Sequence, residues 1–105
     1  MTLSLVDKCQ KMITEEARQI FRKYAEVEHY LKQVIRSMHP DKVILFGSKA
    51  TGEADKYSDT DLAVITHHVF DTSEIYGAVD IINFDVANEQ LKERIQKQGI
   101  VLYKR

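Results

Sequence analysis

The chain has 105 residues, 44% of them apolar and 30% charged, and its 15 basic and 16 acidic side chains leave a formal charge of −1. This length suits a single domain with a modest core. The balance of charge excludes a global basic field for holding nucleic acid, and no apolar run approaches the roughly 18 residues of a membrane-spanning helix. The single cysteine, Cys9, excludes an internal disulfide, and MTLSLVDKCQK lacks the charged-then-apolar pattern of a secretory leader. A reducing, cytoplasmic setting is therefore expected.

Residues 1–39 read as a helical segment. Leu5, Cys9, Met12, Ile13, Ile20, Phe21, Tyr24, Val27, Leu31, Val34, Ile35 and Met38 recur at three- and four-residue steps. Ser4 and Asp7 form an expected N-terminal cap. Cys9 falls on the stripe as a packed thiol, and His39-Pro40 ends the run. So long a periodic run is unusual for one globular helix. Either it breaks around residues 14–24, or its first half projects and packs on a partner.

Lys42–Phe46 follows as a short buried strand, Asp61–Ile65 as a second and Ala78–Phe84 as a third. Asp85 or Asn88 caps a helix bearing Val86, Leu91 and Ile95. Gly99 is its expected left-handed C-cap, and Ile100–Tyr103 is a last extended piece. The order gives an α/β domain, a small mixed β-sheet flanked by helices. Residues 1–39 are its long N-terminal helical segment and 40–105 its core.

The polar stretch GSKATGEADKYSDTD, Gly47 to Asp61, lies between the first two strands. Asp59 and Asp61 are two apart at the head of a strand, so their side chains share a side. Like charges so close repel, and a cation between them relieves the repulsion. Hard carboxylate oxygens suit Mg²⁺, which leaves its remaining positions to water and phosphate. Asp80 sits among the apolar residues Ala78, Val79, Ile81 and Ile82, where a lone carboxylate is costly. The segment from Thr66 to about Tyr76 is short for a crossover helix, so a hairpin is expected between the second and third strands. A hairpin centred near Phe70-Asp71 sets Asp61 opposite Asp80.

Gly47 lets the chain turn sharply after a buried strand and lets a ligand approach its backbone. Ser48 adds a hydroxyl donor, and N–H groups at the start of a following helical turn favour anions. If the first two strands run antiparallel, these donors meet the carboxylates at one sheet edge. Phosphate donors beside metal carboxylates suit metal-assisted transfer of a phosphorus group.

VILFGSKATGEADKYSDTDLAVI resembles the G-S, spacer, D-x-D signature of the DNA polymerase β-like nucleotidyltransferases, and looks most like their minimal nucleotidyltransferase (MNT) group. AVDIINFDVANEQLKERIQKQGIVLY resembles the end of that group's domain, and the two stretches together span residues 42–103. The resemblance implies the polymerase β-like fold and assigns roles. Gly47, Ser48 and Lys49 would bind the nucleotide phosphates. Asp59 and Asp61 would bind two Mg²⁺ ions, and Asp80 would complete one metal site and help take the proton from the acceptor. Where many relatives carry Arg, this chain has Lys49 and Thr51, so a point charge replaces a planar fork. Residues 66–77 are short where larger relatives place a helix. The resemblance further implies a partner, a small helical HEPN-type RNase toxin. The MNT protein would be its antitoxin, attaching AMP from ATP to a tyrosine hydroxyl.

Taken alone, GSKATG is an ordinary turn, and Asp59 and Asp61 are turn or cap aspartates. Their conjunction with Asp80 is what points to a site. Asp85 reads as a cap and His29 and His39 as surface residues; His67 and His68 read as solvated loop residues, with metal binding the less common alternative. Tyr57 either borders the nucleotide or packs. Three functions compete. The first is the protein adenylyltransferase. The second is a non-catalytic nucleotide-binding subunit that neutralises its partner by complex formation, with the N-terminal helix as its homo- or hetero-oligomer contact. The third is transfer to a small molecule or RNA, for which the chain shows no second domain and no basic patch.

Overall fold

The computed structural model describes residues 12–105, so the expected cap at Ser4 and Asp7, and Leu5 and Cys9, lie outside the described residues. Thr14 starts the first of the described α-helices, α1 (Glu15–Lys23), with its hydroxyl accepting from the Ala17 N–H at 3.0 Å. That oxygen also donates to the Val101 carbonyl at 2.6 Å, which ties the helix start to the last strand. Glu15 and Glu16 in the first turn and Arg22 and Lys23 in the last suit the helix dipole. The helical segment breaks at Tyr24 (φ −134°, ψ 88°), and α2 (Ala25–Met38) follows. The break falls within the interval expected from the length of the apolar run. It lets two shorter helices lie against the sheet. His39 closes α2 in the left-handed conformation, with Pro40 next.

The strands are β1 (Lys42–Phe46), β2 (Thr60–Ile65), β3 (Val79–Asn83) and β4 (Ile100–Lys104), in the sheet order β3-β2-β1-β4. Between β1 and β2 stands a single helical turn, α3 (Ser48–Thr51). Between β3 and β4 stand a short 3-10 turn (Phe84–Val86) and α4 (Glu89–Gln98). Asn88 is the α4 cap, accepting from the Leu91 N–H at 2.8 Å.

β1 is antiparallel to both β2 and β4, but β2 and β3 are parallel. The expected hairpin is therefore wrong. Residues 66–78 form a crossover without a helix, which carries the chain back to the start of β3. Buried Ile75 and partly buried Phe70 anchor that crossover in the larger core cluster. Gly99 is not left-handed either, with φ −74° and ψ 154°. Glycine is needed there for space, because a Cβ would run into the Ile95 carbonyl and the Ile44 side chain.

Strand alternation divides the core between two faces. Val43, Leu45, Leu62, Val64 and Leu102 face α1 and α2, where they pack with Ala17, Val27, Leu31, Val34, Ile35 and Met38. Ile44, Phe46 and Ala63 face α4 and pack with Ile95, Leu91, Ile82 and Phe84. The described part of the N-terminal apolar stripe is thus spent on the domain's own core.

Thr14→Ala removes the α1 cap and the bond to Val101 together. Equilibrium urea unfolding should show a loss of about 1–2 kcal/mol, and Thr14→Ser should restore most of it.

Candidate active site

The site is built where β1 ends and β2 begins. Phe46 lies opposite Asp61 in the antiparallel register, so the chain must turn just beside that carboxylate. Gly47 makes the turn at φ 75° and ψ −158°, a region open essentially to glycine alone. A Cβ on Gly47 would collide with the Asp61 carboxyl oxygen, and its distance to the carboxyl carbon would be 3.0 Å. The Gly47 turn and Asp61, the second carboxylate of the D-x-D pair, therefore do face each other. The N–H groups of the first α3 turn, at Ser48 and Lys49, have no partner inside the helix by geometry.

Asp61 also lies opposite Asp80 in the parallel register of β2 and β3. The juxtaposition expected from a hairpin is present, reached by the other strand direction. Both residues share the sheet face of Ala63 and Ile82, the α4 face. Asp59 precedes β2 in an exposed turn closed by Asp55 and Ser58. There the Asp55 carboxylate accepts from the Tyr57 N–H at 2.8 Å, and the Ser58 hydroxyl accepts from the Asp55 N–H at 3.0 Å.

Burial pushes the Asp61 carboxyl above its ordinary value, and the charges of Asp80 and Asp59 push it further. Lys49 and Arg94 act against this rise. Among the described residues, none of the three carboxylates forms an ion pair within 4.0 Å. No three His, Cys, Asp or Glu side chains among the described residues form a closed metal cage. The donor set nonetheless fits Mg²⁺, which takes one or two protein carboxylates and completes its shell with water and phosphate. Mutually repelling, unpaired carboxylates at a sheet edge are such donors.

Lys49 is not placed as expected. It is 4% exposed, and its ammonium donates to the Thr60 hydroxyl at 2.8 Å and pairs with Glu26 at 3.0 Å. Thr60 alternates with Asp59 and Asp61, so this ammonium sits behind the carboxylates, on the α2 face, 5.7 Å from the centre of the Tyr24 ring. Glu26 is held below the ordinary carboxyl value, first by its own backbone N–H and also by Lys49.

Arg94 was not singled out from the sequence. It stands one residue before buried Ile95 on α4, the helix that covers the carboxylate face. With Asn88, Gln90 and Leu91 it lines an open groove of about 380 Å³. It has no ion-pair partner within 4.0 Å among the described residues. Its only sequence signal is a basic residue beside the buried stripe of an amphipathic helix.

Three of the histidines noted in the sequence fall away from the site. His67 pairs with Asp41, and the His68 ring meets His39 edge-on, all near the opposite end of β2. Tyr57 is 79% exposed, so it packs in no core.

Comparison with known proteins bears on this arrangement. The family described as "Polymerase beta, Nucleotidyltransferase" matches residues 15–105. A protein of Haemophilus influenzae, "Probable protein adenylyltransferase MntA", is 29% identical, over 69% of this chain and 75% of its own. A crystal structure of a toxin-antitoxin with AMP-PNP is similar with a TM-score of 0.60 at 24% identity, covering 74% of this chain and 73% of that one. A putative nucleotidyltransferase from Sulfolobus solfataricus has a TM-score of 0.54 at 26% identity, covering 88% of this chain and 90% of its own.

The raised carboxyl of Asp61 has a consequence for stability. In the unfolded chain it ionises near 3.8, whereas in the fold it holds its proton to higher pH. Its contribution is fully present below the unfolded value and is lost as pH rises through the folded value. Asp61→Asn should therefore melt at a higher temperature than the parent at pH 7, with the gap closing on acidification toward pH 3.8. Thermal melts across pH, without divalent cations, test this; a gap that widens on acidification contradicts it.

Proposed function

Because the chain belongs to the polymerase β nucleotidyltransferase family, we propose that it is a Mg²⁺-dependent protein adenylyltransferase that acts as an antitoxin. It would move AMP from ATP to a tyrosine hydroxyl of a small helical HEPN-type toxin in the cytoplasm. The observation that carries this reading is the contact between the Gly47 turn and Asp61, with Asp61 in register with Asp80. Phosphate donors and hard anionic donors then share one edge. The names of the Haemophilus relative and the AMP-PNP complex support the adenylyl group and the toxin partner.

Asp59, Asp61 and Asp80 would hold the metal ions. Mg²⁺, when bound there, neutralises phosphate charge and lowers the pKa of the attacking hydroxyl. The Gly47 backbone lets a phosphate approach closely, and Ser48 donates its hydroxyl to a phosphate oxygen. Arg94 takes the phosphate role first expected of Lys49, since Arg94 stands on the carboxylate face and Lys49 behind it. The acceptor oxygen attacks the α-phosphorus in line and forms the new O–P bond. The bond to the β-phosphate bridge breaks, pyrophosphate leaves with the electron pair, and Asp80 receives the acceptor's proton. Among the described residues, the carboxylate face has no wall on the crossover side, because residues 66–78 pack against the α2 side through Ile75. That leaves room for an acceptor on another folded protein.

Intact mass tests the proposal. The purified chain, Mg²⁺, ATP and the co-purifying helical partner should yield a partner heavier by AMP. Asp59→Asn should abolish the gain while leaving the melting transition cooperative. A tight complex without any mass change would favour neutralisation by binding alone.

In the same assay, Arg94→Ala should raise the KM for ATP about tenfold, the loss of roughly one charge-assisted hydrogen bond. An unchanged KM would remove Arg94 from the phosphate site.

A further inference from the structure

Lys49 carries a charge into the core, and the proposed mechanism does not use it. It is 4% exposed, and its hydrogen-bond partner, Thr60, is wholly buried. Burying an ammonium is costly unless it is paired and hydrogen-bonded. Here it has Glu26 at 3.0 Å, Thr60 at 2.8 Å and the Tyr24 ring at 5.7 Å. These partners come from three places. Lys49 belongs to α3, the turn after Gly47. Thr60 lies between Asp59 and Asp61 on β2. Tyr24 and Glu26 belong to the start of α2. One ammonium thus joins the phosphate-side turn, the carboxylate strand and the start of α2.

We propose that Lys49 is a positioning residue. By holding Thr60 from behind, it fixes the strand segment that presents Asp59 and Asp61 to a divalent cation, and Glu26 fixes Lys49 in turn. The inference rests on the reading of those aspartates as metal carboxylates, and it replaces phosphate binding as the role of Lys49. A residue that orients metal ligands without touching the metal changes metal affinity when removed, by about tenfold or more.

Simple electrostatics makes the opposite prediction, and this gives the test its force. A lysine near a cation site weakens that site by repulsion, so its removal should tighten cation binding. Removal of a positioning residue should loosen it. Mn²⁺ serves as the probe, followed by its electron paramagnetic resonance signal, on the full chain without nucleotide. Lys49→Met and Thr60→Val should each weaken Mn²⁺ binding about tenfold. The double variant should be no worse than either single one, because both changes break one link. Thr60→Ser keeps the hydroxyl and should bind like the parent. Far-UV circular dichroism verifies the fold; if Lys49→Met does not fold, the contrast between Thr60→Val and Thr60→Ser carries the test.

Tighter or unchanged Mn²⁺ binding in Lys49→Met, with Thr60→Val silent, would overturn the inference. So would additive losses in the double variant. These results, obtained while Asp61→Asn abolishes Mn²⁺ binding, would sink the positioning role alone. Mn²⁺ binding indifferent to Asp61→Asn would sink the carboxylate reading and the positioning role with it.

Discussion

The pairing of β1 with β2 places Phe46 against Asp61, and most of the site follows from that one register. The residue after Phe46 must pass a carboxylate at close range and reverse direction. Only a residue without a Cβ does both, and Gly47 occupies backbone geometry closed to the others. The turn then delivers a single helical turn, and the Lys49 side chain reaches the hidden face of β2 at Thr60. A one-residue slip of the pairing would exchange the faces of β2. Asp61 would enter the core against α2, and Thr60 would emerge among the carboxylates.

Alternation along β2 therefore separates two electrostatic problems. On the α4 face, Asp61 repels Asp80 and Asp59, and its carboxyl is held above the ordinary range. On the α2 face, an ammonium is desolvated and matched by Glu26 and Thr60. The first arrangement is unfavourable in the protein alone, and the second is paired and hydrogen-bonded. Proteins that break a local physical rule at one place do so most often at functional sites. A strand of six residues carries the violation and the device that steadies it on opposite faces.

Much of this was legible in the sequence, for identifiable reasons. Apolar runs marked β1 and β2, and the sequence left Asp85 and Asn88 as the two starts for the helix that is α4; Asn88 is the cap, while Asp85 and Val86 lie in the 3-10 turn before it. Thr14-Glu15-Glu16 is an equally good helix start, yet it lies inside an unbroken apolar stripe. No proline or glycine marks the break at Tyr24, so the sequence placed it no more finely than residues 14–24. The strand direction of β3 was not legible because parallel neighbours are ordinarily joined through a helix, and residues 66–78 contain none. Ile75 supplies the anchor that a helix would have supplied. The Asp61–Asp80 pair emerged from the wrong topology because an antiparallel and a parallel register cross at one pair only. The neighbours tell them apart, for Leu62 lies beside Ile81 rather than Val79. The partners of Lys49 were hidden for a different reason. Glu26 belongs to a separate helix, and only the layer packing brings it beneath β2.

The same packing bears on how a partner would approach. The apolar faces of α1 and α2 are consumed by the sheet, so in the described residues they offer no free stripe for a second helix. The crossover adds Phe70 and Ile75 to that filled side. The carboxylates lie on the other side, where α4 packs among the described residues, and next to the edge strand β3. A small-molecule acceptor would need walls to orient it, since binding energy from enclosing contacts is what holds reacting atoms in line. Few such walls stand here, so a large acceptor must bring its own orientation through contacts outside the site. A tyrosine on a folded partner satisfies that requirement. On the proposed reading, the open edge would be the approach by which such an acceptor arrives.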